Sequence, residues 1–456
     1  MDNTVSLYCH CHIWLRRQIT NATIQDWVSE FAPPASQKIL SYIVGWLCFT
    51  GWQCAITSIT FLAGSTIQGL IILNDPTYVP KQWHATLLII ALTVFSIFFN
   101  TVLAKKLPLV EGLLLVLHVL GLFAIIITLW VLAPRADAYT VWTEFTNGGN
   151  WNSDGTATLV GLAAPIISLI GFDCAVHMSE EVKDASSTLP KAMLWSFGFN
   201  ASLGFIMAVT ICFTVGNVTE VLNSATASPI IQIFFNTTQS YAGASILTVI
   251  IILTLTSAAI AEVATASRQL WSFARDKVGP DQTPSFANSR ARFLTCTSQG
   301  IPGHRLIGHI TPKSNIPLNA VLVSLTVTSL LSLINIGSTT ALNAILALTV
   351  VSLLCSYMIV ISLVILRRIR GQSLPSRRFN LGRMGLPINI LAMCYLMPIF
   401  VFAFFPVTST VTPESMNWAI VMFGGIMGFA LVWYLIWGHK EYVPPVALVK
   451  RQEYEH

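Results

Sequence analysis

Few side chains of this sequence could do chemistry, and those that could lie in or directly beside long apolar runs. Asp173 ends one such run, within the segment GFDCAVHMSEE at 171–181, and two glutamates follow it. His118 and Glu262 lie inside two other runs. A carboxylate in apolar surroundings can bind a cationic nitrogen or carry a proton, and a histidine can carry a proton near neutral pH. The elements that position these groups decide which of these roles they fill.

The composition excludes a water-soluble globular protein. Of the 456 residues, 54% are hydrophobic and only 10% are charged, which leaves too little polar surface to cover a globule of this size. A membrane-spanning helix needs about 20 apolar residues, and continuous runs of that length recur along the chain, which favours helices over barrel strands. We predict ten spans, at 37–73, 83–103, 108–133, 157–177, 189–215, 242–270, 316–335, 341–366, 386–407 and 416–437.

Lysine and arginine predict the orientation of these spans. If the amino terminus is cytoplasmic, all of the 25 Lys and Arg residues except Lys81 and Arg135 fall on the cytoplasmic side. This distribution follows the positive-inside rule, so the net charge of +5 reflects topology and not nucleic-acid binding. We predict a cytoplasmic tail at 1–36, a transmembrane domain at 37–437 and a second cytoplasmic tail at 438–456.

Two candidate glycosylation sites agree with this orientation. The sequons at Asn217 and Asn236 both lie in the predicted exterior loop between the fifth and sixth spans, where glycosylation is possible. The nine cysteines suggest no disulfide framework because most lie in or beside spans. The tail segment Cys9-His10-Cys11-His12 has no second ligand cluster, so we predict neither a metal site nor a cofactor.

Asp173 is the strongest candidate for a functional residue. Pro165 and Gly171 both weaken the fourth span, so we expect a short unwound segment near Gly171, Phe172 and Asp173, with two half-helices meeting there. Broken helices expose backbone groups that bind a substrate or ion inside the membrane. The alternative is that Asp173 caps the second half-helix, and the two roles are compatible.

The remaining ionisable residues have competing interpretations. Glu180 and Glu181 fit the first turn of a cytoplasmic helix capped by Ser179, where the helix dipole favours negative charge. His118 and Glu262 are candidate proton carriers. Alternatively, His118 only hydrogen-bonds a neighbouring helix and Glu262 extends toward Arg268.

Several motifs carry a resemblance to a known family. They are WVSEFAPP at 27–34, SYIVGWL at 41–47, LPLVEG at 107–112, GFDCAVHMSEEVKDAS at 171–186, ASR at 266–268 with FARD at 273–276, and IPLNA at 316–320. In this order they resemble the fungal amino-acid, choline and gamma-aminobutyrate permeases of the amino acid-polyamine-organocation superfamily. The resemblance implies an all-α polytopic fold of five plus five inverted-repeat helices within twelve spans, whose discontinuous first and sixth spans hold the substrate.

The fourth span of this chain corresponds to the sixth span of the family, which places Gly171, Phe172 and Asp173 on its break. Two departures accompany the resemblance. Family members have two further spans before the motif at 27–34, whereas here 26 dissimilar residues precede it, so about ten of twelve spans are present. The segment 278–299 interrupts an otherwise continuous cytoplasmic loop, and we hypothesise that it is a retained intron.

The resemblance implies a secondary active transporter rather than an enzyme. We expect it to move amino acids or small amines such as gamma-aminobutyrate by alternating access, driven by protons, in the plasma membrane. Phe172 and Trp52 could face a cationic nitrogen, with Asp173 supplying charge. Choline is the alternative substrate. The alternative of another class is a non-transporting permease remnant or nutrient sensor.

Overall fold

A computed structural model of the protein describes residues 24–179, 182, 184–226, 228–274, 300–309, 316–337, 339–374, 381–413 and 415–445. Within these ranges the chain forms helices and no strand. The α-helices are α1 (Ile24–Phe31), α2 (Gln37–Asn74), α3 (Gln82–Thr101), α4 (Leu107–Leu132), α5 (Ala138–Thr143), α6 (Asp154–Gly161), α7 (Ala163–Ile167), α8 (Cys174–His177), α9 (Ala185–Thr214), α10 (Val218–Leu222), α11 (Pro229–Thr238), α12 (Tyr241–Ala274), α13 (His304–Ile307), α14 (Leu318–Gly337), α15 (Thr339–Ile369), α16 (Gly385–Phe402), α17 (Ala419–Trp433) and α18 (His439–Glu441).

Nine helices of the described chain are long and apolar enough to cross a membrane. They are α2, α3, α4, α9, α12, α14, α15, α16 and α17, and they overlap nine of the ten predicted spans. The prediction of an all-α polytopic membrane protein is therefore confirmed.

The fourth predicted span, 157–177, is not a continuous helix. It is divided into α6, α7 and α8, with turns at 168–173. Pro165 lies in the first turn of α7, where its missing amide hydrogen would have no helical partner in any case. The unwound segment predicted near Gly171 is present in the structure.

The two longest helices, α2 and α12, form the centre of the fold and run antiparallel to each other. At one end Asn74 of α2 donates from Nδ2 to Oγ of Ser245 over 3.0 Å. At the other end Gln269 of α12 donates from Nε2 to the carbonyl of Gly45 over 3.4 Å. Gly45 permits this close packing because a Cβ atom there would lie 2.4 Å from the Phe273 ring.

A short helix precedes each of these long helices, α1 before α2 and α11 before α12. Since α2 and α12 are antiparallel, the two short helices lie at opposite ends of the bundle. Arg367 at the end of α15 contacts α1, whereas α11 packs near Gly69 in the last turns of α2. This arrangement is consistent with the expected inverted repeat.

The helix ends define two faces of the bundle. At one face, here called the basic face, lie the starts of α2 and α4 and the ends of α12, α15 and α17. The described lysines and arginines other than Lys81 and Arg135 are on this face. Lys38 of this face donates from Nζ to the carbonyl of His439 over 2.7 Å. The opposite face joins the loops after α5 and α16, where the Ser409 amide donates to the Gly149 carbonyl over 2.8 Å.

Parts of both predicted tails belong to the folded core. Helix α1, within the predicted tail 1–36, buries Ile24, Trp27, Val28 and Phe31 because its apolar residues pack against α2 and α15. Tyr442, within the predicted tail 438–456, is also buried, with its ring 5.4 Å from that of Tyr42. The tail boundaries predicted at residues 36 and 438 therefore exclude residues that pack in the core.

Other predictions fall outside the described residues. They concern Cys9 to His12, the glutamates 180 and 181, and the segment 278–299. Helix α9 begins at Ala185, four residues before the predicted start of the fifth span at 189, so Pro190 lies within its first turns. As the sixth residue of the helix, Pro190 lies beyond the first turn, so its missing amide hydrogen removes one hydrogen bond of α9.

Candidate substrate site at the helix break

The break between α7 and α8 depends on Gly171. This residue has φ +104°, a region that residues with a Cβ atom rarely adopt. The space around it is not the constraint, since a Cβ atom would meet Sγ of Cys174 at 3.7 Å and Cη2 of Trp52 at 4.0 Å, which are ordinary contacts. Glycine is therefore required here by the backbone conformation, and that conformation sets the position of Phe172 and Asp173.

Asp173 is fully buried, with 0% of its surface exposed. It occupies the N-cap position of α8, yet its side chain makes no capping hydrogen bond. The hydroxyl of Tyr357, from α15, instead donates to Oδ1 over 2.7 Å. Oδ2 lies 3.5 Å from Nε2 of His177, one helical turn further on. The carboxylate is thus directed into the helix bundle, and the capping role considered from the sequence is not formed.

Aromatic rings from three parts of the chain surround this carboxylate. The rings of Phe172 and Tyr357 have centroids 5.4 Å apart and are tilted by 38°. Trp52, from the middle of α2, is buried and approaches the His177 ring edge-on at 5.8 Å. The structure therefore brings together the predicted residues Gly171, Phe172, Asp173 and Trp52.

The same region contains several buried polar atoms without hydrogen-bond partners. Among the described residues these atoms include Oδ2 of Asp173, both ring nitrogens of His177, Nε1 of Trp52, Oγ of Ser179 and Oε2 of Glu262. Buried polar groups are normally hydrogen-bonded because leaving one unpaired costs about 1–3 kcal/mol. Unpaired polar atoms beside a buried carboxylate are available to hydrogen-bond a ligand.

Of the two predicted proton carriers, only Glu262 lies near this region. The Cys174 thiol interacts electrostatically with both Asp173 and Glu262 and contacts the hydroxyl of Thr265. Glu262 of α12 therefore lies close to the break. His118 is exposed on α4, and the structure does not bring it to Asp173.

Sequence reasoning missed three residues of this region: Tyr357, His177 and Cys48. Cys48, on α2, interacts with Asp173 and with the hydroxyl of Ser356. The spacing of Asp173 and His177, which face each other as i and i+4, was a detectable signal. Tyr357 is distant in sequence and lies within an apolar run, so no local pattern marked it.

A cavity of about 660 Å³ opens on the side of the opposite face. Its walls come from α6 and α7, the first half of α15, and the loops around Gly149 and Val407. Ile167 and Val350 lie at its inner end. Val350 and Tyr357 are seven residues apart on α15, or about 10 Å along the axis. The cavity therefore approaches the Asp173 region from one face without including it.

The two candidate glycosylation sites are in different settings. Asn217 is exposed and caps α10, accepting from the amides of Thr219 and Glu220. Asn236 is half-buried inside α11, where its Oδ1 accepts from Nε2 of Gln232 over 2.8 Å. Both are on the side of the opposite face, and Asn217 is the more accessible of the two.

The family of this chain follows from comparison with known proteins. A family profile described as "Amino acid permease" matches residues 16–426. The chain belongs to the amino acid permease family. Membership in that family makes it a multi-pass membrane transporter of small molecules, amino acids or amines, rather than an enzyme.

Three relatives of the permease are fungal proteins. It is 28% identical over 418 residues to a choline transporter of Saccharomyces cerevisiae, covering 91% of this chain and 70% of that one. It is 26% identical over 419 residues to amino-acid permease 2 of Neurospora crassa, covering 91% and 72%. An uncharacterized amino-acid permease of Schizosaccharomyces pombe is 26% identical over 423 residues, covering 91% and 70%.

Proposed function

We propose that this permease is a secondary active transporter of amino acids or related small amines such as gamma-aminobutyrate, and that Asp173 binds the amino group of the substrate. The observation that carries the proposal is the fully buried carboxylate at a helix break, with Oδ2 lacking a hydrogen-bond partner among the described residues. A charged group inside a membrane protein is expensive and is retained where it serves a function.

The surroundings of Asp173 suit a cationic nitrogen. Oδ1 is held by Tyr357, which fixes the carboxylate plane and leaves Oδ2 to accept from the substrate. Phe172 and Tyr357 supply ring faces, and a desolvated contact between a cation and an aromatic ring contributes about 2 kcal/mol. The turns at 168–173 supply backbone groups outside the helical ladder for the other end of the substrate.

Alternating access would use the break as a hinge. Helices α7 and α8 meet at Gly171, so a small rotation there would expose Asp173 first toward the cavity and then toward the basic face. We propose the proton as coupling ion, with Glu262 the nearer of the two sequence candidates and His118 remaining a candidate from its residue type alone. The basic face would be cytoplasmic and the membrane the plasma membrane.

Choline is a second candidate substrate, favoured by a specific observation. A quaternary ammonium ion has no hydrogen-bond donor on its nitrogen, so it depends on aromatic faces and a nearby carboxylate. Trp52, Phe172, Tyr357 and Asp173 offer that set, and one relative is named as a choline transporter.

Uptake measurements in a transport-deficient yeast host would test the proposal. The labelled compounds are choline, gamma-aminobutyrate and a set of amino acids, each measured for the wild type and for Asp173→Asn. We expect uptake of at least one compound by the wild type, reduced at least tenfold by the substitution. Asp154→Asn, an exposed aspartate at the start of α6, is the matched control.

Normal surface delivery without uptake of any compound would contradict the transporter proposal. That outcome would favour the alternative class, a non-transporting permease remnant or nutrient sensor.

A further inference from the structure

We propose that His177 carries an exchangeable proton, and that this proton competes with the cationic nitrogen of the substrate for Oδ2 of Asp173. The inference rests on the proposed function only in taking Asp173 as the group that receives the cation. His177 was not selected from the sequence, and its competition with the cation predicts that substrate binding weakens as pH falls.

The geometry places the imidazole where a substrate cation would bind. Nε2 of His177 lies 3.5 Å from Oδ2 of Asp173, and both side chains are fully buried. Tyr357 occupies Oδ1, so the carboxylate has one oxygen left for a cation. Because Asp173 and His177 are one turn apart on α8, no helix movement is needed to bring them together.

Neither ring nitrogen of His177 has a hydrogen-bond partner among the described residues. A structural histidine normally satisfies at least one ring nitrogen. The Trp52 ring packs edge-on against the imidazole at 5.8 Å and limits its rotation. Packing thus holds His177 beside the carboxylate, with Nε2 toward Oδ2 of Asp173, in a position to exchange a proton.

Other charged or titratable groups approach from each neighbouring element. Helix α8 itself contributes Cys174, α2 contributes Cys48, α12 contributes Glu262, and α15 contributes Tyr357. Two cations lie on the packed helices: Arg268 of α12 donates to the Ala264 carbonyl, and Lys191 of α9 is exposed. His177 is the basic group whose contact with Asp173 the structure records.

Two positive charges cannot share one carboxylate oxygen in a dry site without strong repulsion, since the effective dielectric is low. When the substrate cation reaches Oδ2, the N–H bond at Nε2 therefore breaks, the electron pair stays on the nitrogen, and the proton leaves to the aqueous phase. One positive charge replaces another, so the net charge of the site is unchanged. Conversely, acidification of the face to which the site is open would promote release of the substrate.

Choline is the sharpest probe because its charge does not change with pH. We would measure choline binding to the purified protein between about pH 5.5 and pH 8, for the wild type, His177→Gln and His439→Gln. Since one proton leaves for each cation bound, the wild-type Kd should rise by up to about tenfold per pH unit on acidification. His177→Gln should bind choline with a Kd that is nearly constant with pH.

His439 is the matched control, since it is exposed on the basic face, and its variant should keep the wild-type pH dependence. A wild-type Kd that does not change with pH, or a slope that persists in His177→Gln, would overturn the proposal.

A ligand-free measurement separates this inference from the proposed function. The ion pair between His177 and Asp173 exists only while the imidazole is protonated, so the wild type should gain thermal stability over His177→Gln as pH falls from about 8 to 5.5. A difference in melting temperature that is constant over this range would refute the exchangeable proton. If no compound binds or is taken up, the proposed function fails. The melting-temperature comparison alone then decides whether the pair of His177 and Asp173 holds a proton.

Discussion

The Asp173 carboxylate at the helix break and the Arg367 guanidinium at the basic face are held in different ways. At the break, a carboxylate, an imidazole and an indole are buried with several atoms unpaired among the described residues. At the basic face, Arg367 donates from Nε to the Phe31 carbonyl over 3.0 Å and from Nη2 to the Glu30 carbonyl over 2.6 Å. Its guanidinium also lies 5.5 Å from the Phe31 ring centre.

These contacts hold helix ends together at the basic face. The contacts of Arg367 and the aromatic cluster of Tyr42, Tyr434, Tyr442 and Phe273 are here called the clamp. Arg367 satisfies the carbonyls that the last turn of α1 leaves without helical donors. An aromatic cluster formed by Tyr42, Tyr434, Tyr442 and Phe273 joins α2, α12 and the segment after α17. Because Arg367 makes two hydrogen bonds and a ring contact in the clamp, whereas Oδ2 of Asp173 has no hydrogen-bond partner among the described residues, we expect substitutions in the clamp to reduce stability and substitutions at the break to reduce transport.

The largest expected effect is that of Gly171→Ala on transport. Alanine at φ +104° strains the backbone by about 1–3 kcal/mol, and relief of that strain would rotate Phe172 and Asp173 away from Tyr357. We expect uptake of the transported compound to fall at least tenfold. The measurement is initial uptake rate in proteoliposomes, normalised to folded protein by size-exclusion chromatography.

Gly216→Ala is the control for backbone strain. Gly216 has φ +68° in the loop after α9, and nothing lies within 4 Å of the position of its Cβ atom. It should lose a similar amount of stability and keep wild-type uptake. Equal loss of uptake in both variants would contradict the assignment of the break as the transport site.

Arg367→Ala tests the clamp. It removes two charge-assisted hydrogen bonds and a ring contact, so we expect a loss of about 2–4 kcal/mol in stability. The lower melting temperature in detergent is the measurement, and uptake per folded molecule should change less than twofold. Arg370→Ala, at an exposed residue one turn later, should melt like the wild type.

The opposite result for Arg367→Ala would also be informative. Unchanged melting with lost uptake would make the clamp a moving gate and would remove the contrast between the two regions.

The sequence predicted the spans and the break better than it predicted the residues around Asp173. Continuous apolar runs define spans because a bilayer requires them, and Gly171 with Pro165 marked the interruption. Tyr357 could not be found in this way, since its contact with Asp173 spans 184 positions of sequence. The burial of α1 was missed because an eight-residue helix beside a polar segment resembles a tail until its packing partners are known.

Tyr442→Phe tests a smaller part of the clamp. The hydroxyl of Tyr442 donates to Oγ of Ser41 over 3.2 Å, and its loss should lower stability by about 1 kcal/mol. Burial raises the pKa of Tyr442 well above its usual range, so the phenol stays protonated in the folded protein. An exposed tyrosine has a pKa of about 10, so the unfolded chain begins to lose the phenol proton only near that pH. The contribution of the Tyr442 hydroxyl to stability is therefore fully present below about pH 10 and decreases above it.

Chemical denaturation of the wild type and Tyr442→Phe at about pH 7 and pH 9 would measure this difference. It should be the same at both values. A difference that grows from pH 7 to pH 9 would mean that the folded protein loses the phenol proton before the unfolded chain does, which would contradict the raised pKa of Tyr442.

The smallest effect is expected from deleting residues 278–299. The described chain on either side of the gap from 275 to 299 meets in space: Gly300 packs against the Phe273 ring, and Nε1 of Trp46 donates to the Gly300 carbonyl over 3.1 Å. After the deletion, residues 275–277 would connect Ala274 to Gly300, and such a connection can span about 13 Å. Melting temperature and uptake should therefore match the wild type.

The clamp supplies the control for this deletion. Removing three further residues, 275–277, bonds Ala274 directly to Gly300 and limits their Cα atoms to a separation of about 3.8 Å, so that variant should lose stability through the aromatic cluster around Phe273. If deletion of 278–299 alone destabilises the protein, the segment is part of the fold, and the hypothesis of a retained intron loses its structural support. A spliced transcript that encodes the segment would refute that hypothesis directly.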